Sequence, residues 1–210
     1  MGQRDLAIGN VAEAKKWVAS AIASLNSIIG FNGKRDGITS LPAFKAQLFH
    51  FHIELGPQPS LLKQFLRLLP VVRDDPALLL LMEVRFKYFD ILSVFNRADQ
   101  IFIDAPAGGG AEDVGQAPAF TPRNRNGTIG ITPYYESAGP LIRSHCLIHE
   151  AAHFLSDDFQ DWAYRFREPG VNPRGYIDLD VLHAIRNPDS YAYFALQTAK
   201  NINRTISQDE

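Results

Sequence analysis

Apolar residues fall at Val11, Ala14, Val18, Ile22, Leu25 and Ile29, three or four positions apart. Only a helix gathers that spacing onto one face, and a stripe of that length must be covered by other elements. The chain is therefore committed to a helix-packed core from its first thirty residues. The pattern predicts a helix over 11–29, ended by Gly30. Residues 30–40 carry three glycines among mixed charge and read as a loop. Pro42 then starts a helix through Glu54, and Gly56-Pro57-Gln58-Pro59 interrupts the chain. Ser60 caps a short helix to Leu69, and Asp75-Pro76 opens a long one to about Asn96.

The pattern changes after residue 98. The β-branched runs 100–104 and 128–132 predict two short strands. The 105–127 segment between them holds Gly108-Gly109-Gly110 and three prolines. It is too long for a plain connection and reads as a mobile flap or a disordered segment. No Gly-Lys-Ser/Thr follows the glycines, so the segment does not read as a phosphate cradle. Helical patterning resumes at Pro140. No repeat or linker divides the chain, so the expectation is one domain over 1–210, with a helical half (1–98) and a half carrying the chemistry (99–210). The expected fold class is α+β, mostly helical, with a small sheet beside one central helix.

Composition removes several function classes. Among 210 residues, 21 Lys and Arg against 23 Asp and Glu leave a net charge of −2, with no field to gather nucleic acid or anionic lipid. The apolar run 77–82 falls far short of the ~20 residues that span a bilayer, so no membrane partner is expected. One cysteine, Cys146, permits no internal disulfide and reads as a small buried hydrophobe. The N-terminus has no basic stretch leading into an apolar run, so the expectation is a cytoplasmic protein or one exported without a signal peptide.

The chemistry lies in His149-Glu150-Ala151-Ala152-His153, an H-E-x-x-H arrangement. Residues four apart stack on one helical face, so both imidazoles reach one zinc ion, and Glu150, rotated about 100° away, sits beside the metal. There a carboxylate serves as general base and then general acid for a hydrolytic water. A chain of this composition acquires the pattern by chance in fewer than about one case in a hundred. His145 precedes His149 by four, but the helix rises ~12 Å from His145 to His153, so His145 reads as a supporting or packing residue.

A catalytic zinc needs a third protein ligand. Residues 154–159 contain neither glycine nor histidine, so the extended metzincin pattern fails. Glu168 lies in an Arg-Glu-Pro-Gly turn, poorly suited to a helical ligand. Aspartate remains. Asp157 and Asp158 follow His153 by four and five residues and would serve if the helix ended early, though they also suit the cap of a helix starting near Phe159. Asp161-Trp162-Ala163-Tyr164 supplies another aspartate, with a tyrosine three later on what would be the same helical face.

Here the sequence resembles the aspzincins, the deuterolysin and peptidyl-lysine metalloendopeptidase family, in which H-E-x-x-H is followed by G-T-x-D-x-x-Y-G. The segments Ile131-Thr132-Pro133-Tyr134-Tyr135 and 187–194 (Asn-Pro-Asp-Ser-Tyr-Ala-Tyr-Phe) are also similar, and the likeness covers about residues 101–200. The resemblance implies a zincin-like metalloprotease domain with one Zn2+ per chain. It implies His149, His153 and Asp161 as ligands, Glu150 as base and acid, and Tyr164 as oxyanion donor. It further implies a peptide or protein substrate cut beside lysine. Phe159-Gln160 stands where the family has Gly-Thr, and Arg165 where it has glycine.

The rest of the chemistry-bearing residues read as structural. His50 and His52 diverge on a helix and read as packing or surface residues. His183 belongs with Asp178 and Asp180 in an acidic helix start, and Asn187-Pro188-Asp189 is another helix start. Tyr191 and Phe194 are expected beneath the zinc site. Residues 127–132 are expected to form an edge strand against which an extended peptide lies. The function expected is a zinc endopeptidase, general or of narrow specificity. The alternative is a metal-bound, non-catalytic module that binds a partner through its helical half.

Overall fold

The computed structural model describes residues 2–31, 35–55, 76–106, 117–122, 127–165, 175–207 and 209–210. The first helix, α1 (Gln3–Ile29), extends the predicted one toward the N-terminus and ends at Gly30, whose N–H donates to the Asn26 carbonyl at 2.9 Å. Its stripe of Val11, Ala14, Trp17, Val18, Ala21 and Leu25 is buried against three later helices.

Residues 35–40, expected as loop, form a short helix, α2 (Arg35–Ser40). Gly37 permits this: a Cβ there would lie 2.8 Å from the Phe31 ring, so the absent side chain lets the turn close on that ring. The next helix, α3 (Pro42–Phe51), stops short of the expected Glu54. His52 takes a left-handed conformation (φ 55°) and returns its N–H to Leu48. The buried Gln47 amide then satisfies the Ile53 carbonyl at 2.8 Å. After it comes α4 (Pro76–Phe95), as expected. The predicted helix at 60–69 and the Asp75 cap lie outside the described residues.

A short helix α5 (Ala98–Ile101) precedes β1 (Phe102–Asp104), so Gln100 and Ile101 close a helical turn instead of starting the strand. Among the described residues three strands form where two were expected. The added one, β2 (Ala119–Phe120), lies within the segment read as a flap or disorder, of which 107–116 and 123–126 lie outside the described residues. The sheet order is β1-β3-β2, with β3 (Ile129–Ile131) parallel to β1 and antiparallel to β2. Phe102 pairs with Ile129, and Ala119 with Ile131. The expected edge strand is thus the central one. With both sides paired, β3 has no free ladder for a peptide, which corrects that expectation.

Beyond α6 (Tyr134–Ser137) runs α7 (Pro140–Leu155), started by extended Gly139 and Pro140. It packs on α1, α4 and the last helix, with Leu147, Ile148, Ala151 and Ala152 fully buried. A 3-10 turn (Tyr176–Asp178) and α8 (Val181–Ala184) lead to that last helix, α9 (Pro188–Lys200). Residues 191–196 of α9 are all buried, so the helix is enclosed on every side, between α1, α3 and α7. Tyr191 and Phe194 pack on Phe51 at 5.0 and 5.3 Å between ring centroids. No helix among the described residues is long and apolar enough to cross a membrane.

Candidate metal centre

Because α7 is unbroken through Leu155, His149, Glu150 and His153 share one rigid scaffold. The helix ends where Ser156 turns extended, and the Ser156 hydroxyl accepts the Asp158 N–H at 3.1 Å. The helix expected near Phe159 does not form. Residues 156–165 run instead as turn and irregular backbone, with Phe159 buried against Tyr191 at 5.2 Å and the Gln160 N–H on the Arg186 carbonyl. Asp157 and Asp158 therefore cap no helix. They are exposed and lie outside the donor cluster. Glu168 lies outside the described residues.

That irregular course brings Asp161 over the end of α7. Its Oδ1 lies 3.1 Å from His149 Nε2 and 3.1 Å from His153 Nε2. His149, His153 and Asp161 each offer a ligand atom, all within 4.8 Å of one another, a group able to hold a metal ion. The donor chemistry fits a cation. His149 Nδ1 faces a carboxylate oxygen of Asp189 at 3.0 Å, and His153 Nδ1 faces the Phe159 carbonyl at 3.2 Å. Both partners only accept, so each Nδ1 donates there, and each ring turns its Nε2 toward an Asp161 oxygen. Two ring nitrogens facing one carboxylate oxygen at this range require a proton or a metal between them. Tetrahedral zinc, with bonds of about 2.0–2.1 Å, sets neighbouring ligand atoms about 3.3–3.4 Å apart, close to the 3.1 Å that separates the Asp161 oxygen from each histidine nitrogen.

Protons compete for the same place. Burial alone would lower the His149 imidazole, but hydrogen bonds to Asp161 and Asp189 carry it well above its usual value. Burial would raise the Asp161 carboxyl, yet the two imidazoles hold it below the carboxylate range. Glu150 flanks the cluster, its Oε1 3.9 Å from His149 Nε2. Its carbonyl accepts the Thr121 hydroxyl at 2.9 Å, which ties the segment after β2 to α7.

Tyr164 also reaches the cluster, though not by the expected route. Residues 161–164 are not helical, so the i, i+3 argument fails. The backbone instead carries the phenol flat against His149, with centroids 5.8 Å apart and planes 10° from parallel. Burial raises the Tyr164 phenol far above its ordinary value, and the adjacent Asp161 carboxylate raises it further. The hydroxyl keeps its proton and is a donor.

The N-terminus of α9 holds this segment, a role the sequence reading missed. Asn187 clamps Ala163 from both sides, accepting its N–H at 3.4 Å and donating to its carbonyl at 3.0 Å. Asp189, fully buried, accepts the Arg165 N–H at 2.9 Å. The Arg165 guanidinium lies over Phe49 and Tyr193, 4.9 and 5.0 Å from their centroids. The only signal in the sequence was a carboxylate in a helix start that became buried.

The remaining histidines stand apart from the cluster. His145 is buried on Tyr193 at 4.6 Å, with Nε2 3.5 Å from Asp189. Buried His50 contacts Tyr176 and Gln197. His183 pairs with Asp180, the cap of α8. Cys146 is half-buried against the main core, and burial pushes its thiol up.

Fold and site together define a mostly helical α+β chain with a His-His-Asp cluster able to bind a metal at the end of its central helix. The chain matches no family model, no curated protein and no solved structure.

Proposed function

We propose that this protein is a zinc-dependent endopeptidase of aspzincin type. The observation that carries the reading is the convergence of His149 Nε2, His153 Nε2 and an Asp161 oxygen beside a carboxylate, Glu150, and a protonated phenol, Tyr164. Zinc held by the first three would supply Lewis acidity toward a peptide carbonyl and a water.

The remaining work falls to the side chains. Glu150 takes the proton of the attacking water and returns it to the amine nitrogen as the peptide bond breaks. Tyr164 donates its hydroxyl to the carbonyl oxygen as negative charge develops there. Exposure favours an enzyme over a closed metal module. Side-chain accessibility climbs from 8% at His149 through 19% at His153 to 35% at Asp161, so solvent reaches the cluster through Asp161. The family resemblance adds a preference for lysine next to the cleaved bond.

The test is elemental analysis of the purified chain together with cleavage of an unfolded, lysine-rich protein, with and without chelator. One zinc per chain and chelator-sensitive cleavage are expected. Glu150→Gln should keep the zinc and lose turnover. Near-native cleavage by that variant would overturn the mechanism, and absence of any bound metal would overturn the reading.

A further inference from the structure

We propose that Asp189 is a positioning residue that joins the two halves of the donor cluster through its two carboxylate oxygens, and so sets the metal affinity of a site it does not ligate. The inference rests on the metal-centre reading above. The cluster is assembled from parts far apart in sequence: His149 and His153 come from α7, and Asp161 with Tyr164 comes from the irregular segment that follows it. His153 of α7 holds only the start of that segment, at the Phe159 carbonyl, and its end is held by Asn187 and Asp189 of α9.

Asp189 meets both parts. Its Oδ1 lies 3.0 Å from His149 Nδ1, and its Oδ2 accepts the Arg165 N–H at 2.9 Å. Arg165 adjoins Tyr164 and follows Asp161 by four residues. One rigid, fully buried carboxylate thus fixes the ring plane and tautomer of one ligand while anchoring the backbone that carries the other. A carboxylate behind a ligating histidine ordinarily tunes that histidine alone, at 10- to 100-fold in metal affinity. Here the second oxygen extends the effect to Asp161.

The charge has reason to be there. A buried carboxylate is costly unless every oxygen is satisfied. Asp189 meets that condition through the imidazole N–H on one oxygen and the amide N–H on the other, with His145 Nε2 3.5 Å from the first, within the first turn of α9, where the helix dipole favours an acid. The satisfaction is mutual, so holding the carboxylate and holding the site are the same event.

Asparagine separates the two functions because it has one acceptor oxygen. If that oxygen faces His149, its NH2 opposes the Arg165 N–H, and if it faces Arg165, its NH2 opposes His149 Nδ1–H. The experiment is titration of the full chain with Co2+, followed by its visible absorption, with Zn2+ affinity from competition. Wild type is expected to give a four-coordinate cobalt spectrum. Asp189→Asn is expected to bind 10- to 100-fold more weakly with an altered spectrum. A merely structural residue would lower the melting temperature and leave affinity and spectrum of the folded fraction unchanged, and that result would overturn the proposal. Wild type that binds neither Co2+ nor Zn2+ would instead overturn the metal-centre reading itself. Should Asp189→Asn not fold, histidine-ring NMR of the zinc-loaded wild type decides: a His149 proton on Nδ1, slow to exchange, is required, and one on Nε2 refutes the proposal.

Discussion

Tyr164 lies parallel to the imidazole of His149, 5.8 Å between centroids, with its hydroxyl kept protonated by burial and by the neighbouring Asp161 carboxylate. The stack uses the ring and the proposed chemistry uses the hydroxyl, so phenylalanine separates them. Tyr164→Phe is expected to keep the fold and the bound metal but to lower kcat by about 10²- to 10³-fold, the usual loss for one oxyanion donor. Steady-state kinetics on a peptide substrate checks this. An unchanged kcat would reduce Tyr164 to a packing residue.

Asp161 is the only one of the three donors outside α7, and its loss leaves two imidazoles without the shared oxygen between them. Ligand binding to the folded state stabilises it by about 2.7 kcal/mol at a hundredfold excess over Kd. Wild type should therefore melt at a higher temperature with zinc than with chelator. In Asp161→Ala that difference should vanish while the far-ultraviolet dichroism of the chelated protein stays native. Persistence of the zinc effect would direct attention to Asp157 and Asp158.

The legible parts of the molecule were those in which chemistry and local period coincide. His149, Glu150 and His153 could be read because their spacing has meaning only on a helix, and α7 supplies one. Two features were illegible for different reasons. The strand β2 is two residues long between prolines, too short to show an alternating pattern, and its identity depends on pairing with β3. Asp189 acts on a histidine forty residues earlier, and no local pattern encodes that distance. Tyr164 is a mixed case: the motif singled it out, but irregular backbone, not a helical face, brings it to His149.

His50 gives a pH signature remote from the metal centre. Its Nε2–H donates to Gln197 Oε1 at 2.8 Å and its Nδ1 accepts from the Tyr176 hydroxyl at 2.7 Å, which satisfies the neutral ring. Burial holds its pKa at about 3, against 6.5 for the ordinary group. Below pH 6.5 the unfolded chain takes up a proton that the folded one refuses. The stability tied to neutral His50 is thus complete above pH 6.5 and lost as pH falls toward 3, at up to about 1.4 kcal/mol per pH unit. Urea denaturation from pH 7 to pH 4 should show a steeper loss for wild type than for His50→Gln. Parallel slopes would mean that the imidazole is protonated inside the fold.

Gly130, at the centre of the sheet, leads to the last prediction. A Cβ there would stand 2.6 Å from Phe120 Cε1 and 3.1 Å from the Ala105 methyl, so the β2 ring occupies the space the glycine leaves. Gly130→Ala must push Phe120 outward, at a cost of about 1–3 kcal/mol. The displacement reaches the candidate site, because Thr121, next to Phe120, donates to the Glu150 carbonyl. Gly9, within α1, is the internal control: a Cβ there meets nothing within 4 Å, and Gly9→Ala should stabilise by roughly 0.5–1 kcal/mol. Thermal melts should move in opposite directions for the two variants, and hydrogen exchange should show faster loss of the β2–β3 amides in Gly130→Ala alone. Equal melting temperatures would mean that Phe120 swings aside freely and that β2 is not held by this contact.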